Sequence, residues 1–462
     1  MWISIGITRG LPNAGECATV LTMNVEGRFK FKWLVCGLLF LAVTILYVDR
    51  QSLSILAPQL EKELGWSETD YGNMVAAYQF AYAAGVFAAG WLIDRLGTRF
   101  GFALFMVLWS VMTAAHGFAA SVAAFVAARF ALGFTQAGCF PCAIKATAEW
   151  FPKEERALAT GLFNTGSMVG PILAPLAILA LYAGSGWLVT CAILGAAGLV
   201  WGGIWLALYR TPSETPEQVG RRVPSPPQSH ALTCGGQRTD RPTFHGTIAG
   251  ETPAPPVQDE VPLLRSRAAW AFFFGKLLSD PVWWFFLFWL PKFLHGKHGV
   301  EVKELGAPLV VIYSITIVGS VGAGWLTKRL VRGGLAVGAA RRAVMLLCAL
   351  LPVPVLLAAN TPHVWTAVIV IGLATAGHAG WMANLFSLVS DHFPKSRVAA
   401  VTGLGTMAGA LGGIFIARFA GWLLDTTGSY TVLFILSASS YIVAWLLVNA
   451  LLPRIPETRR LT

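Results

Sequence analysis

Residues 90–99 read Gly-Trp-Leu-Ile-Asp-Arg-Leu-Gly-Thr-Arg, and a related heptapeptide, Gly-Trp-Leu-Thr-Lys-Arg-Leu, recurs at residues 324–330. Each stretch lies at the end of a long apolar run and introduces charge there. A second echo, Phe-Pro-Lys, occurs at residues 151–153 and again at residues 393–395. Because both echoes fall at equivalent places, the chain is predicted to contain two related halves.

The composition of the chain indicates a membrane protein. Of its 462 residues, 55% are hydrophobic and only 12% are charged, and the mean hydropathy is +0.62. A soluble domain carries about 25% charged residues. The formal net charge of +11 would suit a nucleic-acid-binding protein, but the basic residues are scattered over loops and form no single patch. We therefore expect an integral membrane protein that binds no nucleic acid and whose basic residues set its orientation.

Twelve apolar runs follow one another, each long enough to cross about 30 Å of hydrocarbon. The predicted spans are 32–58, 71–93, 100–119, 121–148, 157–182, 186–209, 268–292, 305–327, 342–359, 363–390, 398–424 and 429–452. If the N-terminus is cytoplasmic, nearly all loop Lys and Arg residues lie inside. The predicted outside loops then hold only Lys62, Lys292, Lys297 and Lys303. This bias places both termini in the cytoplasm, with the protein in a plasma membrane, a bacterial inner membrane being expected.

Residues 210–267 interrupt the succession of spans. They are rich in Pro, Ser, Thr, Gln and charge, which is typical of a disordered linker. The fold class is therefore predicted to be all-α, with twelve transmembrane helices in two pseudo-symmetric six-helix bundles. The expected parts are a cytoplasmic N-terminal segment at 1–30, a bundle at 31–209, the linker at 210–267, a bundle at 268–453 and a cytoplasmic tail at 454–462. Parallel six-span repeats are typical of transporters whose site lies between the halves.

The pattern Gly90-x-x-x-Asp94-Arg95-x-Gly97-x-Arg99 lies between spans 2 and 3. It resembles the signature loop of the major facilitator superfamily, and with twelve spans and a central loop the resemblance covers nearly the whole chain. In that family the charges of this loop latch the two halves together on the cytoplasmic side. The resemblance therefore implies that Asp94 and Arg95 are gating residues. Basic residues that only set topology would not explain the spacing of Gly and Asp.

Motifs in spans 1, 4, 5 and 10 carry a narrower resemblance. They are Tyr47-x-Asp49-Arg50, Arg129-x-x-x-Gly133-x-x-Gln136, Phe140-Pro141, Trp150-Phe-Pro-Lys-Glu-Glu-Arg156, Gly161-x-Phe-Asn164-x-Gly166 and Gly377-His-Ala-Gly-Trp-Met-Ala-Asn384. They look like the anion:cation symporter branch, which takes up organic anions such as sugar acids with protons, and within it they resemble hexuronate transporters. Close relatives in that branch carry glucarate, galactonate and similar acids, so the resemblance leaves the sugar acid open.

Two arginines inside the predicted spans point to an anion site. At about 1.5 Å per residue, Arg50 and Arg129 both lie roughly 12 Å below the outer surface. Arg129 and Gln136 are seven residues apart and share one helix face. Two buried cations at one depth repel each other unless an anion lies between them. Asp49 could supply that anion, and so could a substrate carboxylate bound in bidentate fashion by a guanidinium.

Asp49 is the predicted proton-coupling residue. A proton arriving from outside would neutralise Asp49 and free an arginine for the carboxylate of the substrate. The alternative is a static ion pair of Asp49 with Arg50 or Arg129 that holds the fold. Related symporters carry glutamate where this chain has Gln136, which cannot titrate. We therefore expect fewer protons per substrate, while Gln136 can still bind sugar hydroxyls.

The second half contributes further candidates. Lys276 and Asp280 are four residues apart in span 7 and can pair on one helix face, either as a substrate contact or as a structural salt bridge. Trp283 could stack on a sugar ring, and His378 lies in the middle of span 10. The predicted substrate-binding residues are Tyr47, Arg50, Arg129, Gln136, Asn164, Trp283, His378 and Asn384.

The leading hypothesis is a proton-coupled symporter for an organic monocarboxylate, with a hexuronate such as galacturonate or glucuronate as the expected substrate. The expected partners are a small organic anion, a proton and the lipid bilayer, and we expect a monomer without cofactor or metal. One alternative is an organic-phosphate or organic-anion antiporter, because that related group also uses basic residues that face each other from spans 1 and 7. A non-transporting membrane sensor is a second alternative. An enzyme is not expected, since no nucleotide-binding loop or nucleophile triad is recognisable in the sequence.

Overall fold

A computed structural model describes residues 14–152, 155–210, 265–393 and 395–452. These residues form long helices joined by short turns. The helices are α1 (Ala14–Leu64), α2 (Glu68–Ala115), α3 (Val122–Gln136), α4 (Cys139–Trp150), α5 (Arg156–Asn164), α6 (Gly166–Leu208), α7 (Arg267–His298), α8 (Gly306–Arg332), α9 (Val337–Leu350), α10 (Val364–His392), α11 (Lys395–Thr427) and α12 (Thr431–Leu451). Short 3₁₀ helices cover His116–Phe118, Val302–Glu304 and Val353–Ala359.

The all-α membrane fold is confirmed, and the helices are consistent with twelve spans. Ten helical segments of the described residues are long and apolar enough to cross a membrane. Two of the helices, α2 and α6, bend sharply at Gly97 (φ 74°, ψ 163°) and Gly186 (φ 73°, ψ −178°), a conformation that only glycine adopts without strain. Counting each of these two helices as two spans, one on either side of its bend, would turn the ten segments into twelve, which is consistent with the predicted number.

Two predicted spans are interrupted where proline removes a backbone donor. The run at 121–148 divides into α3 and α4, because Pro141 has no N–H to donate to the carbonyl of Ala137. The run at 342–359 likewise ends its α-helix at Leu350, just before Pro352, and continues as a 3₁₀ helix. These breaks leave the path across the membrane unchanged but re-orient the side chains beyond them.

The predicted parts of the chain lie only partly within the described residues. Helix α1 begins at Ala14, inside the segment predicted as 1–30. Residues 211–264 of the predicted linker and the predicted tail at 454–462 lie outside the described residues. We call residues 14–210 the N-terminal half and residues 265–452 the C-terminal half.

The two ends of the helices differ in how the halves meet. We call the end where α1 finishes and α2 starts the Glu68 end, and the opposite end, near the bend at Gly97, the Asp94 end. One large cluster of buried apolar side chains crosses both halves at the Glu68 end, where Leu56 and Tyr71 join Phe288. A second cluster lies wholly within the N-terminal half. The halves therefore share a common core at the Glu68 end.

Candidate functional site

A cavity of about 380 Å³ lies between the two halves. Its walls come from α1, α5 and α6 on one side and from α7, α8 and α10 on the other. The lining residues that carry polar or aromatic side chains are Tyr47, Asn164, Ser167, Lys276, Asp280, Trp283, Trp284, Tyr313, Thr316, Ser320, His378 and Phe386. A mixture of aromatic rings and a few polar groups is typical of sites for small polar molecules.

The wall from α7 contains an ion pair. Lys276 Nζ lies 2.6 Å from Asp280 Oδ2, four residues further along the same helix face, and both side chains are largely buried. The other carboxylate oxygen, Asp280 Oδ1, has no hydrogen-bond partner among the described residues. The sequence left open whether this pair is structural or contacts a substrate. The structure gives it both features, a formed salt bridge and a place in the cavity wall.

Trp283 and His378 form an aromatic patch beside this pair. Their rings are stacked, with centroids 5.0 Å apart and planes inclined by 8°. The hydroxyl of Tyr441 donates to the carbonyl of Ser279 at 3.2 Å and lies 2.7 Å from His378 Nδ1. When the single Tyr441 hydroxyl proton points at Ser279, His378 Nδ1 is the donor in the second bond. His378 is then left with Nε2 as a hydrogen-bond acceptor.

Arg50 lies one aromatic layer behind the cavity. Its guanidinium is buried, donates from Nε to the Tyr78 hydroxyl at 2.8 Å, and leaves Nη2 without a partner among the described residues. The Tyr78 hydroxyl in turn donates to Gln136 Oε1 at 2.6 Å. Four rings face the guanidinium with centroids 4.8–5.4 Å away, from Tyr47, Tyr78, Tyr82 and Trp284. Tyr47 and Trp284 also line the cavity, so their rings separate Arg50 from it.

Asp49 faces away from the cavity, into the N-terminal half. Its Oδ2 accepts hydrogen bonds from Trp109 Nε1 and, at 3.3 Å, from Thr113 Oγ1, both on α2 beyond the bend. Its Oδ1 has no hydrogen-bond partner among the described residues. The static ion pair considered for Asp49 is absent within the described part of the chain, where neither Arg50 nor Arg129 forms a salt bridge.

Arg129 and Gln136 are buried inside the N-terminal half. Arg129 Nη1 donates to the carbonyl of Arg50 at 3.5 Å, so the two arginines are neighbours as the sequence predicts. Neither Arg129 nor Gln136 lines the cavity in this structure. Arg129 Nε and Nη2 and Gln136 Nε2 have no partners within the described residues. This half therefore holds a group of unsatisfied donors close to Arg50.

The two asparagines predicted to bind substrate lie in different places. Asn164 is exposed on α5 and lines the cavity between the halves. Asn384 is buried within the C-terminal half, where it accepts from Thr327 Oγ1 at 2.9 Å and donates to the carbonyl of Gly380 at 3.0 Å. It borders a separate cavity of about 420 Å³ near the Asp94 end. Asn384 does not line the central cavity in this structure and instead bonds α10 to α8, so its predicted contact with substrate stays a prediction.

The predicted gating residues make contacts within the N-terminal half. Asp94 Oδ1 lies 2.7 Å from Lys145 Nζ on α4, and the Arg95 guanidinium lies 3.7 Å from the ring centroid of Trp91. These contacts do not cross to the C-terminal half. A latch between the halves at this loop therefore requires a different arrangement of the two halves.

The sequence analysis missed the aromatic surroundings of Arg50. Tyr78 and Tyr82 are four residues apart on α2, and this spacing places both on one helix face. That spacing was the available signal, but it is common among core residues. Trp284 is not among the predicted substrate-binding residues. Its contact with Arg50 crosses from one half to the other and has no signature in the sequence.

Comparisons with known proteins agree with this architecture. The family model described as Major Facilitator Superfamily matches residues 39–417 and, in a second match, residues 336–462. A hexuronate transporter of Escherichia coli (strain K12) is 27% identical over 418 residues, which cover 90% of this chain and 93% of that protein. A galacturonate transporter of Dickeya chrysanthemi is 31% identical over 281 residues, which cover 60% of this chain and 76% of that protein.

A solved structure shares the fold. It is the crystal structure of a bacterial homolog to the human lysosomal transporter Spinster, in an inward-facing and unoccupied conformation. The superposition has a TM-score of 0.66 at 18% sequence identity and covers 91% of this chain and 95% of that chain.

Proposed function

The chain belongs to the Major Facilitator Superfamily of membrane transporters, and within it we propose that this protein is a symporter that takes up a sugar acid together with protons. The proposed substrate is a monocarboxylate, namely a hexuronate such as galacturonate or glucuronate. The observation that carries the proposal is Arg50, a buried cation without a carboxylate partner among the described residues, placed one ring layer from the cavity between the halves. Similarity to transporters of hexuronate and of galacturonate supports the choice of substrate.

Arg50 is the proposed carboxylate ligand. Guanidinium binds a carboxylate through two parallel N–H donors, and charge-assisted bonds of this kind are about twice as strong as neutral ones. The rings of Tyr47 and Trp284 can turn aside to admit the carboxylate and then pack against the apolar face of the sugar. Arg129 lies beside Arg50 with two unpartnered nitrogens and adds a second positive charge to attract the anion.

Asp49 is the proposed proton carrier. A buried carboxylate with one unpartnered oxygen is costly when it is ionised, and a proton removes this cost. It sits next to Arg50 in sequence but on another face of α1, so its protonation changes the charge around the arginines without blocking the cavity. Gln136, bonded to Tyr78, lies where related symporters carry glutamate and cannot titrate. We therefore propose a lower proton-to-substrate ratio than in relatives with that glutamate.

Transport in this proposal proceeds by rocking of the two halves. The structure is closed at the Glu68 end by a core common to both halves, and the sequence predicts that the Asp94 end faces the cytoplasm. The present structure would then correspond to the state that exchanges substrate with the cytoplasm. In the opposite state Asp94 and Arg95 would leave their present contacts and latch the halves at the Asp94 end.

Uptake by purified full-length protein in proteoliposomes tests the proposal. Radiolabelled galacturonate should accumulate when the outside is acidic. Asp49→Asn should abolish this pH-driven accumulation but leave exchange of labelled for unlabelled substrate across the membrane, because exchange needs no net proton movement. Asp70→Asn, which alters an exposed carboxylate that caps α2, is the matched control and should accumulate substrate normally.

Three outcomes would contradict the proposal. Wild-type protein that moves no sugar acid would exclude the substrate class. Uptake that needs an anion inside the vesicle rather than a proton gradient would indicate an antiporter. Loss of both accumulation and exchange in a folded Asp49→Asn variant would remove the specific coupling role of Asp49.

A further inference from the structure

The cavity wall holds one cation whose charge is already neutralised. Lys276 is the only Lys or Arg, and Asp280 the only Asp or Glu, among the residues that line the cavity, all of which the structure describes. Their charges cancel at an Nζ–Oδ2 distance of 2.6 Å. The proposed carboxylate ligand Arg50, in contrast, has no acidic partner among the described residues. The cation in the cavity wall is therefore neutralised, while the cation without an acidic partner lies one ring layer behind the wall.

Gly409 of α11 helps to hold Asp280 in this position. A Cβ atom at residue 409 would lie 1.9 Å from Asp280 Oδ2, so the carboxylate can rest against α11 only because residue 409 has no side chain. Lys276 is further enclosed by the ring of Phe386, whose centroid is 5.3 Å from Nζ. The ion pair is thus built into the packing of α7 against α10 and α11 and does not arise from two free side chains.

Two groups beside this ion pair are hydrogen-bond acceptors. Asp280 Oδ1 is unpartnered among the described residues, and in the tautomer in which His378 Nδ1 donates to Tyr441, His378 Nε2 is a second acceptor. Acceptors bind O–H donors of a polyol and repel a carboxylate. The wall therefore has the chemistry of a sugar-hydroxyl subsite, opposite the arginine side of the cavity.

We infer that Asp280 masks Lys276 and thereby restricts the transporter to sugar acids with a single carboxylate. This inference rests on the proposed function, because it concerns the far end of a sugar acid whose carboxylate binds at Arg50. An aldarate, which carries a carboxylate at each end, would place its second negative charge against Asp280. Removal of the Asp280 charge would expose Lys276 and create a second carboxylate site.

Exchange by full-length protein in proteoliposomes tests the inference with two six-carbon probes, galacturonate and galactarate. Wild-type protein should exchange galacturonate, and galactarate should compete at least about tenfold more weakly, the scale expected for one misplaced charged hydrogen bond. Asp280→Asn should gain galactarate exchange and improve galactarate competition by about tenfold or more. The double variant with Lys276→Met and Asp280→Asn removes both charges and should not gain galactarate.

Two further variants separate masking from unrelated effects. Gly409→Ala leaves every charge in place but displaces the Asp280 carboxylate, so it should also improve galactarate competition, by less than Asp280→Asn does. Glu301→Gln frees Lys303 from an exposed ion pair of 2.7 Å outside the cavity and should leave selectivity unchanged. If Asp280→Asn does not fold, Gly409→Ala still tests whether Asp280 masks Lys276.

The possible results distinguish the two proposals. Wild-type protein that exchanges neither probe would overturn the proposed function and this inference with it. Wild-type protein that exchanges galacturonate and galactarate equally well would overturn the inference alone. The inference alone would also be overturned if wild-type protein is selective but neither Asp280→Asn nor Gly409→Ala improves galactarate exchange. Improved galactarate exchange by the double variant would overturn it too.

Discussion

Ion pairs at the two ends of the molecule join different partners. At the Glu68 end they cross between the halves, because Lys292 of α7 lies 2.8 Å from Glu61 of α1 and 2.8 Å from Glu68 of α2. Lys292 is almost fully buried, with 4% of its side chain exposed, so few water molecules can replace these partners. Opening the Glu68 end therefore requires that a buried cation lose both of its carboxylates.

At the Asp94 end, two ion pairs of the described residues each lie within one half. Lys145 pairs with Asp94 inside the N-terminal half, and Arg341 Nε lies 2.7 Å from Asp391 Oδ2 inside the C-terminal half. The halves can therefore move relative to each other at this end without breaking these pairs. The difference indicates that charges at one end control the opening of the cavity, while charges at the other end stabilise each half as a rigid unit.

The largest expected effect comes from Lys292→Met, which leaves Glu61 and Glu68 facing each other without a cation. Breaking a buried ion pair costs about 3–5 kcal/mol. Because both carboxylates keep some solvent access, we expect a cost of about 2 kcal/mol here, which corresponds to a roughly 30-fold shift of the equilibrium towards opening at the Glu68 end. Spin labels at the exposed residues Lys62 and Lys303 would report this shift as a longer inter-label distance. The control is Lys297→Met, an exposed lysine five residues further along α7. An unchanged distance in Lys292→Met would show that the Lys292 ion pairs do not hold this end closed.

A smaller effect is expected for Asp425→Asn. The Asp425 carboxylate of α11 accepts from the backbone N–H groups of Glu68 at 2.9 Å and Thr69 at 2.7 Å, and so caps α2 from the other half. Loss of its charge at a helix N-terminus should weaken closure by about 1 kcal/mol, roughly fivefold in the same distance measurement. Asp70→Asn changes a cap that α2 receives from its own half and should not alter the distance. Equal shifts in both variants would show that helix stability rather than contact between halves is being measured.

The smallest effect is expected for Asp94→Asn. Its pair with Lys145 is exposed, with 76% of the Asp94 side chain accessible, and such pairs contribute about 0–1 kcal/mol. Thermal unfolding of the purified protein should therefore change little, and the distance at the Glu68 end should stay as in the wild type. A clear lengthening of that distance in Asp94→Asn would contradict the expectation that charges at the Asp94 end do not control closure at the Glu68 end.

Much of the fold and part of the candidate site could be predicted from the sequence. Long apolar runs and the bias of Lys and Arg among loops gave the membrane fold, because both depend only on local composition. Charged residues inside spans were correctly expected to be buried, as Arg50 and Arg129 are. Tyr47 belongs to a motif that carries the family resemblance, Trp283 is a predicted stacking partner of a sugar ring, and both line the cavity.

The rest depended on how each helix is rotated about its axis. One residue along an α-helix turns a side chain by about 100°, so a residue in a span may face the cavity, the lipid or its own half. Asp49 and Arg50 are adjacent, yet Asp49 bonds to Trp109 and Arg50 to Tyr78. Asn164 lines the cavity, whereas Asn384 bonds to Thr327 of the neighbouring helix, for the same reason. No local sequence pattern predicts which residue of another helix a side chain will contact.

The sequence by itself determined that this chain crosses the membrane repeatedly, that it repeats a signature loop, and that it retains charges where lipid makes them costly. These properties follow from composition and spacing and do not depend on how the helices pack. Only the tertiary structure decided which charges are paired. It left Arg50 without a carboxylate partner among the residues that the structure describes, behind a layer of rings, and joined Lys276 to Asp280 against Gly409. Pairing depends on contacts between helices far apart in the chain, and these exist only once the helices have packed.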